Sequence, residues 1–261
     1  MKIKMSKSLS PQQSHHILVD HLEAKADAQT ASWYTKYLKG VITYRGLKSG
    51  MLRPILLTLL EETGLSQMSE EEQLAHIQYW LAQPKAEDKL TAILWLQFLM
   101  KSIPKKERKS ERVAPILDLL EGSFTSGIIN DWATNDWLCV RVLELFPQHY
   151  PTWNDRLVTW TLAPSLWQRR SGLLAFKKWI KQGKNHHLAE DMFANLLPSD
   201  ERFVQTAVGW VLSDASRTHP DWAASLFDRY EAELSHEVIT RHTKHLSDHQ
   251  ERKARSRKRS R

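Results

Sequence analysis

The sequence lacks several features that would place it in common structural classes. It contains a single cysteine, Cys139, in 261 residues, so it cannot form an internal disulfide, and this composition suits a reducing compartment. Nine glycines and ten prolines are too few for the many turns of an all-β fold. No run of about 18 uninterrupted apolar residues is present, and no apolar segment follows the lysines of residues 2–7. We therefore expect a cytoplasmic protein without a membrane span or a secretory signal.

Motifs typical of several enzyme classes are also missing. There is no Gly-rich phosphate loop, no paired-cysteine zinc pattern and no Gly-x-Ser-x-Gly sequence, which disfavours nucleotide-dependent and serine-hydrolase chemistry. His242, His245 and His249 can share one helix face, but no carboxylate clearly accompanies them, so a metal site is not expected. Cys139 lies in an apolar run, where a buried, unreactive thiol is favoured over a nucleophile.

The positive charge of the chain is concentrated at its C-terminal end. The net charge is +7, from 37 Lys and Arg against 30 Asp and Glu. Residues 241–261 hold 9 of the cations and 2 of the acids, which gives +7, so the preceding 240 residues carry 28 of each sign and sum to zero. The composition of residues 247–261 predicts a disordered polycation, which would bind phosphate backbones with an affinity that falls steeply with salt.

Apolar residues recur with a helical period along most of the chain, and no segment alternates as a strand would. Ser69 and Glu72 have the spacing of a helix-starting capping box, as do Ser165 and Gln168. The acids around Glu87 are expected to be solvated at the start of another helix. The sequence therefore predicts an all-α protein built from antiparallel helix pairs.

Three aromatic stretches divide the second half of the chain at regular intervals: residues 131–137, 165–170 and 203–210. From Trp132 to Arg170 is 38 residues and from Arg170 to Trp210 is 40, close to the period of HEAT-type helix pairs. Stacked pairs would bring these side chains to one face of a solenoid. We predict a flexible N-terminus over residues 1–10, a HEAT-like helical repeat domain over 11–246 and a basic tail over 247–261.

The helical projection gives Arg170 two equally supported roles. The residue falls in the middle of an apolar arc that includes Trp167, so its guanidinium faces the interior or a groove. It can form a buried ion pair or bury its aliphatic stem while the charge reaches solvent, or it can act as a forked donor to a phosphate. Arg169 lies at the edge of the arc and is expected to point outward.

Trp210 and Asp136 each have a simpler interpretation that is favoured when the residue is considered alone. Trp210 follows Gly209, and a glycine inside a helix usually marks the close approach of another backbone or a ligand. A core tryptophan is nevertheless the more common case. A carboxylate in a first helical turn is usually a cap. The alternative for Asp136 is a carboxylate in a water-poor site that stabilises developing positive charge.

Taken together, these residues resemble the AlkD-type DNA alkylation repair family. The matching motifs are Trp132-x-x-x-Asp136, Trp167-x-x-Arg170, the run Phe203-x-Gln205-x-Ala207-x-Gly209-Trp210-Val211-Leu212 followed by Thr218-x-Pro220, and Tyr37 with Gly46 and Arg53. The similarity covers roughly residues 30–220. The family often has two adjacent tryptophans before its aspartate. This chain departs from that pattern, because Ala133 follows Trp132 and the further tryptophan, Trp137, lies after Asp136.

The resemblance implies a fold, an activity and a set of residue roles. The fold would be a superhelical solenoid with a concave DNA-binding face, and the activity would be a DNA glycosylase that removes N3- and N7-alkylated purines from duplex DNA. Asp136 would stabilise the cationic sugar and position water, Trp132 and Trp210 would pack on the deoxyribose, and Arg170 would hold a phosphate. Further DNA contacts are expected from Tyr37, Trp167 and Arg169. The resemblance implies a monomer that needs no metal and no cofactor.

Two other functions remain open at this point. Some members of the family lack the aspartate and the arginine and bind DNA without excising bases, whereas this chain keeps Asp136 and Arg170. The first alternative is therefore a non-catalytic HEAT-repeat protein that binds distorted or branched DNA. A protein–protein scaffold is less well supported, because such a role does not require either residue.

Overall fold

The computed structural model describes residues 9–107 and 111–259, and the chain divides into two compact units, residues 1–142 and 143–261. The helices of the first unit are α1 (Pro11–Glu23), α2 (Ala28–Tyr37), α3 (Leu52–Thr63), α4 (Glu70–Leu81), α5 (Ala86–Ser102), α6 (Ala114–Thr125) and α7 (Trp132–Leu138). Those of the second are α8 (Leu145–His149), α9 (Asn154–Thr159), α10 (Leu166–Leu174), α11 (Lys177–Lys181), α12 (His186–Leu196), α13 (Arg202–Ala215), α14 (Pro220–Arg229), α15 (His236–His242) and α16 (His249–Arg259). A π-helical turn, Cys139–Leu143, follows α7.

The all-α prediction is confirmed. Across the described ranges the regular structure is helical, and the β-type pairing found there is a single isolated bridge between Thr43 and Lys85. Within the same ranges, no helix is both long enough and apolar enough to cross a membrane. The proposed division into residues 1–10, 11–246 and 247–261 stays a prediction.

In the first unit, α4 and α5 form the central helix pair. The predicted capping box is present: the Ser69 hydroxyl accepts a bond from the Glu72 amide at 3.2 Å, and the Glu72 carboxylate accepts one from the Ser69 amide at 2.9 Å. Four residues join α4 to α5, a connection short enough to make them antiparallel neighbours. Their facing indoles, Trp80 and Trp95, are fully buried with ring centroids 4.8 Å apart.

The prediction that the acids around Glu87 are solvated is wrong. Glu87 is fully buried, and its carboxylate accepts backbone bonds of 2.9, 2.9 and 3.1 Å from Arg45, Gly46 and Leu47. These three consecutive amides lie in a loop, outside any helix, so their N–H groups are available to provide the hydrogen bonds that a buried carboxylate requires. Glu87 therefore fixes the loop after α2 against the start of α5.

Gly46 completes this anchored loop because no other residue fits its position. Its φ is +107°, and a Cβ atom built on it would lie 2.0 Å from the backbone oxygen of Asp27. Next to it, the Arg45 guanidinium is buried; it forms an ion pair with Asp88 at 3.0 Å and donates a hydrogen bond to Glu23 at 2.9 Å. The loop that follows α2 is therefore held by buried charge on both sides.

The second unit is organised around α13, which packs against α10, α11 and α15. Glycines allow two close helix contacts in this unit, one between α10 and α9 and one between α13 and α15. A Cβ on Gly172 of α10 would lie 2.9 Å from the Leu157 oxygen, and one on Gly209 of α13 would lie 2.5 Å from Cδ2 of His242. The close approach predicted at Gly209 is therefore the packing of α15. The helix that Ser165 caps ends at Leu174, and residues 175–176 separate it from α11.

The described residues near each end of the chain belong to helices or cap them. Ser10 caps α1 through a capping box with Gln13, and residues 1–8 lie outside the described residues. The tail prediction is wrong for its described part, because His249–Arg259 form α16, which packs on α15. A prediction from composition takes account of the like charges within the segment, but not of the opposite charges that other segments bring to it in the folded chain. Here Asp228 and Glu231 of the same unit supply the opposite charges.

Candidate functional site

In the first unit the structure brings Tyr37 and Trp132 together, and it places Asp136 one helical turn beyond Trp132. The extended Asp131 is the N-cap of α7, and its carboxylate accepts a 2.8 Å bond from the Thr134 amide. This cap starts the helix at Trp132, so Asp136 follows on the same helix face. The interpretation of Asp136 as a cap is therefore wrong, because Asp131 performs that role.

An exposed aromatic cluster forms next to Trp132. Trp33 and Tyr37 of α2 stack with ring centroids 5.0 Å apart and 10° between planes, and Tyr37 meets the edge of Trp132 at 5.8 Å. Trp33 is 56% exposed and Tyr37 is 59% exposed. Aromatic faces left in water at such a level are typical of surfaces that stack against bases or sugars. Trp33 was not among the predicted site residues. The feature of the sequence that could have identified it is its spacing of four residues from Tyr37, which places both rings on one helix face.

The other side of this cluster fixes its position. Tyr34 and Tyr44 stack at 4.2 Å, and together with Trp132 they pack on the buried side chains of Leu38 and Ile42. The exposed residues Lys36 and Lys39 flank Tyr37 in the sequence. The aromatic surface is therefore packed against the core on one side, open on the other, and accompanied by positive charge.

Asp136 is half-buried in α7, just before a change of helix type. Cys139, the first residue of the π-helical turn, is fully buried and receives a 3.8 Å contact from the Asn135 amide nitrogen, so the predicted buried thiol is confirmed. Single π-helical turns often accompany functional sites because they change the direction in which neighbouring side chains point. Here Arg141 of the turn lies 4.5 Å over the ring of Trp137.

A cavity of about 410 Å³ lies between the loop after α2 and the segment before α7, with Gly40, Val41 and Asn130 in its lining. Lys89 also lines it, and its ammonium donates 2.8 Å bonds to the carbonyls of Leu81 and Ile128. Burial lowers the pKa of Lys89, while Asp131 acts in the opposite direction. These bonds give Lys89 a structural role in joining two helix pairs.

In the second unit the structure brings Arg170 and Trp210 together. The side chain of Arg170 is buried, and its Nη1 donates a 2.6 Å bond to the carbonyl of Phe203 and a 3.4 Å contact to the Thr206 hydroxyl. Its guanidinium carbon lies 6.0 Å from the centre of the Trp210 ring. The interior placement considered for Arg170 is therefore observed, with hydrogen bonds to α13, and phosphate binding by this residue stays a prediction.

Lys177 of α11 joins this group, although the sequence did not single it out. Its ammonium lies 4.7 Å from the centre of the half-buried Trp210 ring, a geometry in which a cation is attracted to the aromatic face. It also bonds to Asp214 at 3.1 Å and approaches Glu144 at 3.7 Å. Burial raises the pKa of the Glu144 carboxyl, with Lys177 acting in the opposite direction.

Two other predicted site residues make structural contacts within the second unit. Trp167 packs its ring against Phe203 at 4.9 Å, so it joins α10 to α13. Arg169 does not extend outward as expected but donates bonds of 3.0 and 2.9 Å to the carbonyls of Ala163 and Pro164. Carbonyls at the end of a helical turn lack intrahelical hydrogen-bond donors, and the Arg169 guanidinium provides donors for these two. DNA binding by Trp167 and Arg169 stays a prediction.

The three histidines considered for a metal site make separate contacts. His242 packs on Gly209, His245 accepts a 3.1 Å bond from Arg217, and His249 meets the Thr243 hydroxyl at 2.7 Å. Among the described residues no group of three or more potential ligands is placed to hold a metal ion. Burial, aided by Arg241, lowers the pKa of His242 to about 4, so this ring is neutral at neutral pH.

Comparisons with known proteins identify the family of this chain and its fold. A family model described as "DNA alkylation repair enzyme" matches residues 18–246, and the chain belongs to that family. Its role is in the repair of alkylation damage, with DNA as the partner. A solved structure described as "Predicted DNA alkylation repair enzyme from Enterococcus faecalis" is 20% identical, with a TM-score of 0.69 over 85% of this chain and 97% of that one. At this identity the likeness shows a shared fold. The comparison with curated proteins gives no match.

Proposed function

We propose that this member of the family is a DNA glycosylase that hydrolyses the N-glycosidic bond of N3- and N7-alkylated purines in duplex DNA. The observation that carries the proposal is the pairing of Asp136 with Trp132 on one face of α7, beside the exposed rings of Tyr37 and Trp33. A protein that only binds DNA could use the aromatic rings, whereas the half-buried Asp136 carboxylate next to them is suited to a reaction in which the substrate develops positive charge.

The chemistry requires little more than these side-chain types. An alkylated N3 or N7 purine is cationic and a good leaving group, so it departs with the electron pair of the glycosidic bond and the deoxyribose left in the strand acquires oxocarbenium character. The Asp136 carboxylate would stabilise that charge electrostatically and orient the attacking water. The face of the Trp132 indole would attract the same positive sugar. Trp33 would extend the aromatic surface beyond Tyr37.

The second unit would supply DNA contacts of a different kind. We propose that Trp210 packs on a deoxyribose and that Arg170, oriented by its bonds to Phe203 and Thr206, holds a phosphate. Lys177 lies against the Trp210 ring and would keep the indole in place. The proposed reaction involves the side chains of the protein, water and DNA. We also propose that the protein acts as a monomer.

Base release from duplex DNA tests the proposal. Wild type and Asp136→Asn are incubated with duplex that carries 7-methylguanine, and the free base is quantified. We expect the variant to lose at least tenfold in rate, because the amide cannot stabilise the positive charge that develops on the sugar. A tenfold loss corresponds to about 1.4 kcal/mol of transition-state stabilisation. Asp20→Asn is the matched control, since Asp20 is an exposed carboxylate of α1 and its loss changes the net charge equally.

The same experiment distinguishes the alternative function. If wild type binds the duplex but releases no base, the protein is better described as a non-catalytic module for distorted or branched DNA. If Asp136→Asn releases the base as fast as wild type does, Asp136 has no part in the reaction.

A further inference from the structure

Helix α16 separates its positive charges onto two faces. On the inner face, Arg252 is buried and bonds to Asp228 at 2.7 Å and to Asp248 at 2.8 Å. One turn later, Arg255 bonds to Glu231 at 3.2 Å. The side chains of Ser256 and Arg259 also face inward: the Ser256 hydroxyl meets His236 at 2.8 Å, and the Arg259 guanidinium donates to the backbone carbonyls of Glu231 and Leu234.

The outer face carries Lys253, Arg257 and Lys258, which are all exposed. Among the described residues, none of the three has an ion-pair partner, whereas Arg252 and Arg255 of the inner face are ion-paired and Arg259 bonds to backbone carbonyls. Lys253 and Arg257 are one turn apart, a spacing at which like charges destabilise a helix by about 0.2–0.5 kcal/mol. The exposed acid of the helix, Glu251, lies in its first turn, almost two turns from Lys258.

This separation gives the outer cations a property that a disordered polycation lacks. Because the inner face is fixed to Asp228, Asp248 and Glu231, the three outer charges are presented from a helix of defined position. They therefore lose less conformational entropy when a partner binds. Lys253 and Arg257 are roughly 6 Å apart along the helix axis, close to two phosphate steps of one DNA strand at roughly 3.4 Å each.

We propose that the outer face of α16 is a phosphate-binding surface for duplex DNA, held in place by the ion pairs of its inner face. The proposal rests on DNA being the partner of this protein, as in the proposed function. It does not depend on base excision. The surface would increase affinity without selecting a sequence or a lesion, because contacts with phosphates carry no base information.

The test compares two triple variants with equal changes in charge. The first is Lys253→Gln with Arg257→Gln and Lys258→Gln; the control is Lys101→Gln with Lys105→Gln and Lys106→Gln, three exposed lysines of the first unit. Binding to undamaged duplex is measured by fluorescence anisotropy over a range of salt concentrations. We expect the α16 variant to bind at least tenfold more weakly at low salt. We expect its slope of log affinity against log salt to fall by about 2–3, because each phosphate contact contributes about 0.9.

Several outcomes would overturn the proposal. It is wrong if the α16 variant binds as tightly as wild type, or if both triple variants weaken binding equally, since the effect would then be one of net charge alone. Helical content by circular dichroism must match wild type, which we expect because the inner face is intact. Single-turnover base release at saturating protein separates this proposal from the first: the α16 variant should keep the wild-type rate, and Asp136→Asn should lose rate while it keeps its binding.

Discussion

Glu87 illustrates how far a single buried carboxylate can determine local structure. Its two oxygens accept the amides of Arg45, Gly46 and Leu47, and the loop they belong to follows the helix that carries Trp33 and Tyr37. The side chain therefore connects the beginning of α5 to the positioning of the exposed aromatic cluster. This role depends on charge, since a carboxylate has acceptors only and faces donors only.

We predict that Glu87→Gln lowers the free energy of unfolding by about 2–4 kcal/mol, because one acceptor oxygen becomes an NH₂ group that faces buried donors. Urea denaturation followed by circular dichroism measures the change. The exposed Glu61 of α3 provides the control, and Glu61→Gln should stay within about 0.5 kcal/mol of wild type. Equal stabilities for Glu87→Gln and wild type would show that the carboxylate charge is not needed there.

His242 gives the protein a stability that depends on pH. Burial lowers its pKa to about 4 in the folded state, from 6.5, so between these values the unfolded chain binds the proton more strongly. The stabilisation is present in full above pH 6.5 and is lost as pH falls toward 4. We predict that wild type loses more stability over this interval than His242→Gln does, by on the order of 2 kcal/mol after allowance for solvent screening.

Unfolding in urea at pH 7 and at pH 4.5 measures this difference. The comparison with His242→Gln is necessary because burial also lowers the pKa of His76, and that contribution is common to both proteins. Parallel pH profiles for the two proteins would contradict the assignment.

At the residue scale, the sequence identified motifs but not the contacts that their members make. The contact between Tyr37 and Trp132 was not predicted, and the capping role considered for Asp136 belongs to Asp131, five positions earlier. Both aspartates occur near the start of α7, and only the extended backbone at Asp131 distinguishes them. Lys177 could not be found from local sequence, since its partners Asp214 and Trp210 are contributed by a different helix.

At the scale of helices, the contact between α13 and α15 depends on a missing side chain. Gly209 allows the His242 ring and the Val238 side chain to approach within 2.5–2.8 Å of where a Cβ atom would stand. An added methyl group must therefore push α15 away from α13, and overpacking of this kind usually costs about 1–3 kcal/mol. The helix that carries Trp210 would be disturbed with it.

We predict that Gly209→Ala is destabilising by about 1–3 kcal/mol, although alanine is the better helix former. Gly122 of α6 is the matched control, because a Cβ there meets nothing within 4 Å, and Gly122→Ala should gain about 0.5–1 kcal/mol. Thermal unfolding of both variants tests the pair. A Gly209→Ala protein more stable than wild type would show that α15 does not pack as described.

The helices also show where sequence patterns fail. The capping box of Ser69 and Glu72 was predicted correctly because its partners are three residues apart. The helix α16 was not, because the acids that neutralise Arg252 and Arg255 include Asp228 and Glu231, about 24 positions earlier in the chain. Local signals predicted helix starts, whereas the order of the basic tail depended on contacts between distant segments.

For the whole molecule, the scarcity of glycine and proline and the helical period of the apolar residues were sufficient to predict an all-α fold. The motif resemblance was sufficient to predict the family, which the match over residues 18–246 shows. The division into two compact units at residues 142 and 143 was not foreseen, since the apolar run through Cys139 continues across it without a break. The expectation that all the predicted site residues face one groove stays a prediction.

The most direct test of the central claim is the single-turnover rate of 7-methylguanine release from duplex DNA at saturating protein. We predict release by wild type well above the spontaneous rate, and a loss of at least tenfold in Asp136→Asn with duplex binding retained. Release by wild type no faster than in buffer, at a concentration where the duplex is fully bound, would contradict it.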